Sequence, residues 1–207
     1  MNMIRRNFLR SALVSIGNLG WLGQAGRRYA LAQATENRGS PAPGCNFFNA
    51  AQARTLEVIC EQIIPADDQP GAKGAGVLYF IDKALSTWAP EHRWDYLAGL
   101  EGVDESSRAM FGGDFAGLKW DQQTKVLEAM EKGSAPGKIW QTFHVWRSAG
   151  QGRFFGAAQG EGGNSGQQFF NLLIRHTMQG YYADSKYGGN RDGASWKMIG
   201  YVGAKHH

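Results

Sequence analysis

Several residues in this chain are of types that do chemistry. Asp67 and Asp68 are adjacent carboxylates, His144 and His176 are imidazoles among apolar neighbours, Cys45 and Cys60 are the only cysteines, and Arg191 lies in a stretch of glycines and aromatics. A glycosidase-type acid and base must face each other across a cleft. Two acids that follow the helix-stopping Pro65 read instead as a solvated turn. His176 shares a helical face with Phe169, Leu172 and Leu173, and His144 lies between Phe143 and Trp146, settings of core histidines more than of metal ligands. His206 and His207, last in the sequence, are expected to be mobile. An enzyme reading would gather Asp67, Asp68, His176 or Arg191 in an aromatic pocket.

Glycine motifs give no cofactor cradle. "GAKGAG" (71–76) follows a helical pattern instead of a strand and has the wrong order for a dinucleotide loop. "GSAPGK" (133–138) lacks the Ser/Thr after Lys138 that a phosphate loop requires. There is no C-x-x-C-H for covalent haem and no G-x-S-x-G elbow. The sequence therefore assigns no catalytic, cofactor-binding or metal-binding residue to this chain.

The elements that would position these groups are helical. Asn49 is an N-cap before a helix whose apolar residues Leu56, Ile59, Cys60 and Ile63 fall at helical spacing, with Pro65 as its stop. A second helix is expected over 77–88. A third starts at Pro90 and is expected to break near Gly99 or Gly102. Asp121 is expected to cap a fourth that ends at Gly133, and "KIWQTFHVWRSAG" (138–150) is ambiguous, with its neighbours favouring helix. After a glycine-rich loop (150–166), Ser165 and Gln168 form a capping-box pattern before "FFNLLIRHTMQGYY". No alternating strand pattern and no internal repeat is present. The expectation is one all-α domain over 49–207, with long glycine-rich loops, an irregular lead-in (33–48) and an irregular C-terminal arm.

That arm, "YYADSKYGGNRDGASWKMIGY" (181–201), carries Tyr181, Tyr182, Tyr187, Trp196, Met198, Ile199 and Tyr201 among glycines that permit positive φ. It lacks the period that would commit these side chains to a helix or strand. Either it packs over the helices or it offers aromatic anchors to a partner; both can hold.

The leader is an address. The first 32 residues hold five of the 22 basic residues and no acid, so the rest carries 17 basic against 18 acidic residues. A near-neutral body excludes a nucleic-acid binder. "RRNFL" (Arg5, Arg6, Phe8 and Leu9) matches the twin-arginine pattern R-R-x-F-L, a short apolar run follows, and Ala30 and Ala32 frame a cut before Gln33. A folded, exported, periplasmic protein is expected. In that compartment Cys45 and Cys60 are expected to pair. Cys60 lies about 16 Å along the first helix from Asn49 at 1.5 Å per residue, and the segment back to Cys45 reaches about 14 Å when extended. A bridge therefore needs that segment to fold back along the helix. A buried free thiol at Cys60, or a bond to a partner chain, are the alternatives.

Two long stretches carry a family resemblance. "GYYADSKYGGNRDGASWKMIGY" (180–201) and "IIPADDQPGAKGAGVLYFID" (63–82) resemble the signatures of the gluconate 2-dehydrogenase subunit 3 family. With the leader, the likeness extends over essentially the whole chain; Ser185 and Val202 stand where the family often has proline. The resemblance implies a non-catalytic small subunit of a membrane-bound dehydrogenase. Its large subunit would hold FAD and oxidise gluconate or a related sugar acid or polyol. A multihaem cytochrome c subunit would pass the electrons on. The small subunit would take the flavoprotein through the twin-arginine translocase and remain peripheral at the inner membrane through the complex. A free-standing periplasmic assembly factor is the alternative. On this reading Tyr187, Gly188, Gly189, Asn190, Arg191, Trp196 and Lys197 would dock on the flavoprotein, with Tyr187, Arg191 and Trp196 as anchors.

Overall fold

A computed structural model describes residues 40–142 and 164–201. The leader residues Arg5, Arg6, Phe8, Leu9, Ala30, Ala32 and Gln33, together with His144, Val202, His206 and His207, lie outside the described residues.

Helix α1 (Ala50–Ile63) begins where its cap chemistry dictates. The Asn49 side chain accepts from Gln52 N at 2.9 Å, and Gln52 Oε1 accepts from Asn49 N at 3.1 Å, which satisfies two of the N–H groups that the first turn leaves unpaired. Ala53, Leu56, Ile59 and Cys60 form its buried face. The helix closes as Ile64 N donates to Cys60 O, just before Pro65.

Helix α2 (Val77–Ser86) starts after Gly76, whose φ of 74° is left-handed. It ends two residues short of the expected Trp88, because Thr87 N and Ala89 N turn back onto Lys83 O and Ala84 O. A tight turn at Pro90–His92 feeds α3 (Arg93–Phe111). The expected break in α3 is absent. A Cβ on Gly99 would collide with the Phe169 ring, and one on Gly102 would come within 2.6 Å of the Trp140 ring. These glycines mark close helix–helix approach, and burial of the two aromatics outweighs a helix penalty of about 1 kcal/mol each.

Helix α4 (Trp120–Glu131) is capped two residues earlier than expected: Lys119 is the N-cap, its N–H held by Gln122 Oε1 at 3.0 Å. Asp121 sits inside the first turn, where a carboxylate favours the positive end of the helix. The described part of the ambiguous segment opens with a short helix α5 (Ile139–Thr142). Lys138 N and Ile139 N both donate to the Glu105 carboxylate of α3 at 3.0 Å. Helix α6 (Ser165–Tyr182) is capped by Asn164, which accepts from Gln167 N at 3.1 Å. The cap is thus one residue before the expected Ser165, and Ser165 is buried. Asn164 also donates from Nδ2 to Gly133 O, tying the end of α4 to the start of α6.

The chain is all-α. Among the described residues there is no strand, only one isolated antiparallel bridge between Pro41 and Asn49. Those residues all fall within one unit, Gly39–His207. Helix α6 packs on α1, α2, α3, α4 and α5; its Phe169 and Leu173 are fully buried, as are Leu56, Ile81 and Tyr96 of the earlier helices, and the Phe169 ring meets Tyr96 edge-on. The described part of the lead-in takes part in this core. Asn46, Phe47 and Phe48 donate their backbone N–H groups to the buried Asp82 carboxylate at 2.7, 2.9 and 3.0 Å, which seats Phe48 at 0% exposure.

Candidate partner-docking surface

Among the described residues, Asp67, His176, Cys60 and Arg191 each have a structural partner of their own. Asp67 Oδ1 accepts from Gln69 N at 2.8 Å, and both Asp67 and Asp68 are exposed. Their loop is organised by Glu61, whose carboxylate accepts from Ala66 N and Lys73 N at 2.9 and 2.8 Å, and it is pinned by Tyr181, whose hydroxyl donates to Pro70 O at 2.8 Å.

His176 lies in the core. Its Nδ1 shares a 2.8 Å hydrogen bond with the Tyr96 hydroxyl, and its ring meets the edge of His92 at 5.3 Å. His92 Nδ1 in turn contacts Asp95 Oδ2 at 2.8 Å. All four residues are buried. Burial, then the neighbouring His92 and Arg175, hold the His176 pKa well below the ordinary 6.5, so the imidazole is neutral. The histidine is thus the hydrogen-bonded core residue that its apolar face implied. No group of three or more His, Cys, Asp or Glu side chains suited to a metal occurs among the described residues.

The structure does not show the expected Cys45–Cys60 bridge: both are free, buried thiols. Each faces a different element. The segment that follows Cys45 is bonded to Asp82 of α2 through Asn46, Phe47 and Phe48 N, whereas Cys60 Sγ accepts from the Thr177 hydroxyl of α6 at 3.4 Å. The Asp82 clamp on residues 46–48 draws the lead-in towards α2, not back along the Cys60 face of α1. Burial pushes Cys45 up to about 11 and Cys60 up to about 12.

The C-terminal arm is more regular than its composition suggests. Turns at Ser185–Tyr187 and Arg191–Gly193 lead into α7 (Ala194–Met198). Gly189 rests on the backbone of α6, where a Cβ would collide with Gly180 O. Asn190, at 0% exposure, is the arm's internal fastener. Its Nδ2 donates to Ala183 O and its Oδ1 accepts from Ser195 N, both at 2.9 Å, from a left-handed backbone with φ 44°. Arg191 N donates to Ala75 O at 2.9 Å, and its guanidinium lies 5.4 Å from the Tyr79 ring centre, a cation–π distance. Tyr187 packs edge-on against Trp88 at 5.6 Å.

The seven residues expected to meet a partner therefore divide. Gly189 and Asn190 are buried, Tyr187, Gly188 and Trp196 are half-buried, and Arg191 and Lys197 are exposed. Trp196 organises what lies outside. Its Nε1 donates to Tyr182 O at 2.9 Å, and its ring meets Tyr201 edge-on at 5.1 Å. The large apolar side chains open to solvent in α6 and the arm are Met178 (43%), Tyr182 (39%), Met198 (42%), Ile199 (58%) and Tyr201 (51%). None of these five is among the seven named docking residues, although Tyr182, Met198, Ile199 and Tyr201 belong to the arm that was expected to pack over the helices or to meet a partner. A signal was present: Met178 and Tyr182 stand four residues apart on α6, outside the face that buries His176 and Thr177, so the helix is apolar on more than its core side near its end.

Comparison with known families places one match on this architecture. A family model described as gluconate 2-dehydrogenase subunit 3 matches residues 50–203, from the start of α1 through the arm. No curated protein and no solved structure matches.

Proposed function

We propose, from the premise that this chain belongs to the gluconate 2-dehydrogenase subunit 3 family, that it is the non-catalytic small subunit of a periplasmic FAD-dependent dehydrogenase and escorts the flavoprotein through twin-arginine export. The family makes it a subunit of a gluconate dehydrogenase complex. In the fuller reading FAD is held by the large subunit, and a multihaem cytochrome c subunit receives the electrons. The small subunit stabilises the flavoprotein after transport and stays with it at the inner membrane. No helix among the described residues is long and apolar enough to cross a membrane, so attachment there is assigned to the complex.

The observation that carries the reading is the C-terminal arm. Asn190 and the Gly180–Gly189 contact hold it firmly, yet it turns Ile199 and Tyr201 to solvent at 58% and 51% exposure. A surface fixed in this way loses little entropy when a partner covers it. The R-R-x-F-L leader supports the escort role.

Purification tests the reading. The tagged chain, taken from the membrane fraction of cells that make the whole complex, should bring down a yellow flavoprotein in fixed ratio, with FAD released from the larger chain on denaturation. Recovery of the tagged chain alone would favour a transient assembly factor, and dehydrogenase activity in the isolated chain would overturn the non-catalytic assignment.

A further inference from the structure

We propose that residues 41–47 form a latch that opens as a unit while the helices stay folded, closed from inside by Asp82 and coupled through Tyr79 to the C-terminal arm. The inference is independent of the subunit reading. Joined to the export reading, it means that the stretch just after the leader is seated only on a chain whose C-terminal end has folded.

The latch is a loop closed on itself. Ala42 N donates to Phe48 O and Cys45 N to Ala42 O, both at 2.9 Å, and Pro41 pairs with Asn49 across the neck. Phe48, buried edge-on against Tyr96, is its fixed end. The successive N–H groups of Asn46, Phe47 and Phe48 converge on the Asp82 carboxylate, in the manner of a backbone nest around an anion. Here the anion is a side chain of α2 at 1% exposure. The outer side of the loop is open to water at Pro41, Pro43, Gly44 and Asn46. Loss of one carboxylate releases three bonds together, and a segment tied in this way opens well below the free energy of global unfolding.

Tyr79 carries the coupling. It stands three residues before Asp82 on the same side of α2. From the lead-in, Gly44 approaches its ring so closely that an added Cβ would lie 2.8 Å from Cε1, and its φ of 79° is left-handed. From the arm, the Arg191 guanidinium lies 5.4 Å from the centre of the same ring. Gly188 rests on the Tyr79 backbone, where a Cβ would meet the carbonyl oxygen at 3.2 Å. One residue is thus shared by two segments remote in sequence. When the arm comes away the ring loses the cation that orients it, and Gly44 loses a fixed platform. Effects of substitutions on two sides of a shared partner do not add.

The two thiols report on different events, since Cys45 lies in the latch and Cys60 in α1. The purified chain is treated with a maleimide under native conditions, and labelling at each cysteine is followed by peptide mass spectrometry. Asp82→Asn should speed labelling of Cys45 on the order of tenfold or more, with Cys60 unchanged, and hydrogen exchange at Asn46 and Phe47 should quicken with it. Arg191→Ala, at an exposed side chain of the arm, should speed Cys45 severalfold, again without Cys60. The double variant should fall short of the product of the two effects. Gly44→Ala presses on the Tyr79 ring without touching Asp82 and should also release Cys45; it decides the matter if Asp82→Asn exposes both thiols at once. Equal labelling of Cys45 and Cys60 in every folded variant would show that the lead-in opens only with the whole fold, and would overturn the latch. Release of Cys45 by Asp82→Asn or Gly44→Ala but not by Arg191→Ala would overturn the coupling to the arm. Neither result bears on the subunit reading, which purification tests separately.

Discussion

The Tyr96 hydroxyl and His176 Nδ1 lie 2.8 Å apart at the centre of the fold, joining α3 to α6 where neither side chain reaches solvent. The imidazole held there is neutral. His176 has its pKa held well below 6.5 by burial first and then by His92 and Arg175. Above pH 6.5 it is neutral in both folded and unfolded chains and gives stability no slope. Below 6.5 the unfolded chain binds a proton that the folded chain refuses, so stability falls as pH falls, by up to about 1.4 kcal/mol per pH unit for one proton. The groups facing it are Tyr96, His92 with Asp95, and Arg175. Asp104 works in the opposite sense in the lower, carboxylate range, because burial raises its pKa. Urea unfolding at pH 7.5, 6.0 and 5.0 should show the decline, and His176→Gln should make it shallower. Equal slopes would refute the assignment.

The two thiols give a second expectation. With pKa values near 11 and 12, Cys45 and Cys60 hold roughly a thousandth or less of their thiolate form at pH 8. Both are buried as well. A disulfide reagent should react slowly with the native protein and rapidly with two thiols per chain in guanidinium. Fewer than two in the denatured, unreduced protein would restore a bridge.

Gly189 against Gly180 gives a third. The obstacle to a Cβ at Gly189 is a backbone carbonyl of α6, which cannot swing aside as a side-chain tip can. Gly189→Ala should cost about 1–3 kcal/mol as overpacking, seen as a lower Tm. Gly113→Ala, where the nearest atom is a Leu118 methyl at 3.6 Å, should stay within about 0.5 kcal/mol of wild type.

Local rules were sufficient where the deciding groups are neighbours in sequence. Asn49 and Gln52 form their capping box within one turn, and Pro65 stops α1 nearby. They were insufficient where two local solutions compete. Asn164 and Ser165 are both good caps, and the choice of Asn164 goes with its bond to Gly133 at the end of α4. Gly99 and Gly102 read as helix breakers because their compensation comes from Phe169 and Trp140, far along the chain. The arm shows the same division. Its aromatics and Arg191 stood out as large side chains in a stretch without a period, but their inward or outward facing depends on the Gly180–Gly189 approach and the Asn190 side chain. The segment after Cys45 is tied to α2 by the Asp82 carboxylate, a contact that no spacing rule reveals.

Export supplies a fourth test, of the escort reading. Arg5→Lys with Arg6→Lys keeps the leader's charge and removes the R-R pair. Fractionation should then find both this chain and its flavoprotein in the cytoplasm. Normal periplasmic dehydrogenase activity, with no second signal on the partner, would refute the escort.

Asn190 separates the arm's shape from its bonds. It combines a left-handed backbone, φ 44° and ψ 48°, with a buried amide that donates to Ala183 O and accepts from Ser195 N. Asn190→Gly keeps the permitted backbone and loses the amide, leaving a carbonyl and an N–H unpaired at about 1–3 kcal/mol each. Asn190→Ala loses the same bonds and adds the strain of a Cβ in the left-handed region, about 1 kcal/mol more. The order of Tm should therefore be wild type, then Gly, then Ala. Trp196 fluorescence should shift to longer wavelength in both variants as α7 loosens and the indole gains water. If both melt as the wild type does and the emission is unmoved, the arm is held by its glycine contacts with α6, and Asn190 is not its fastener.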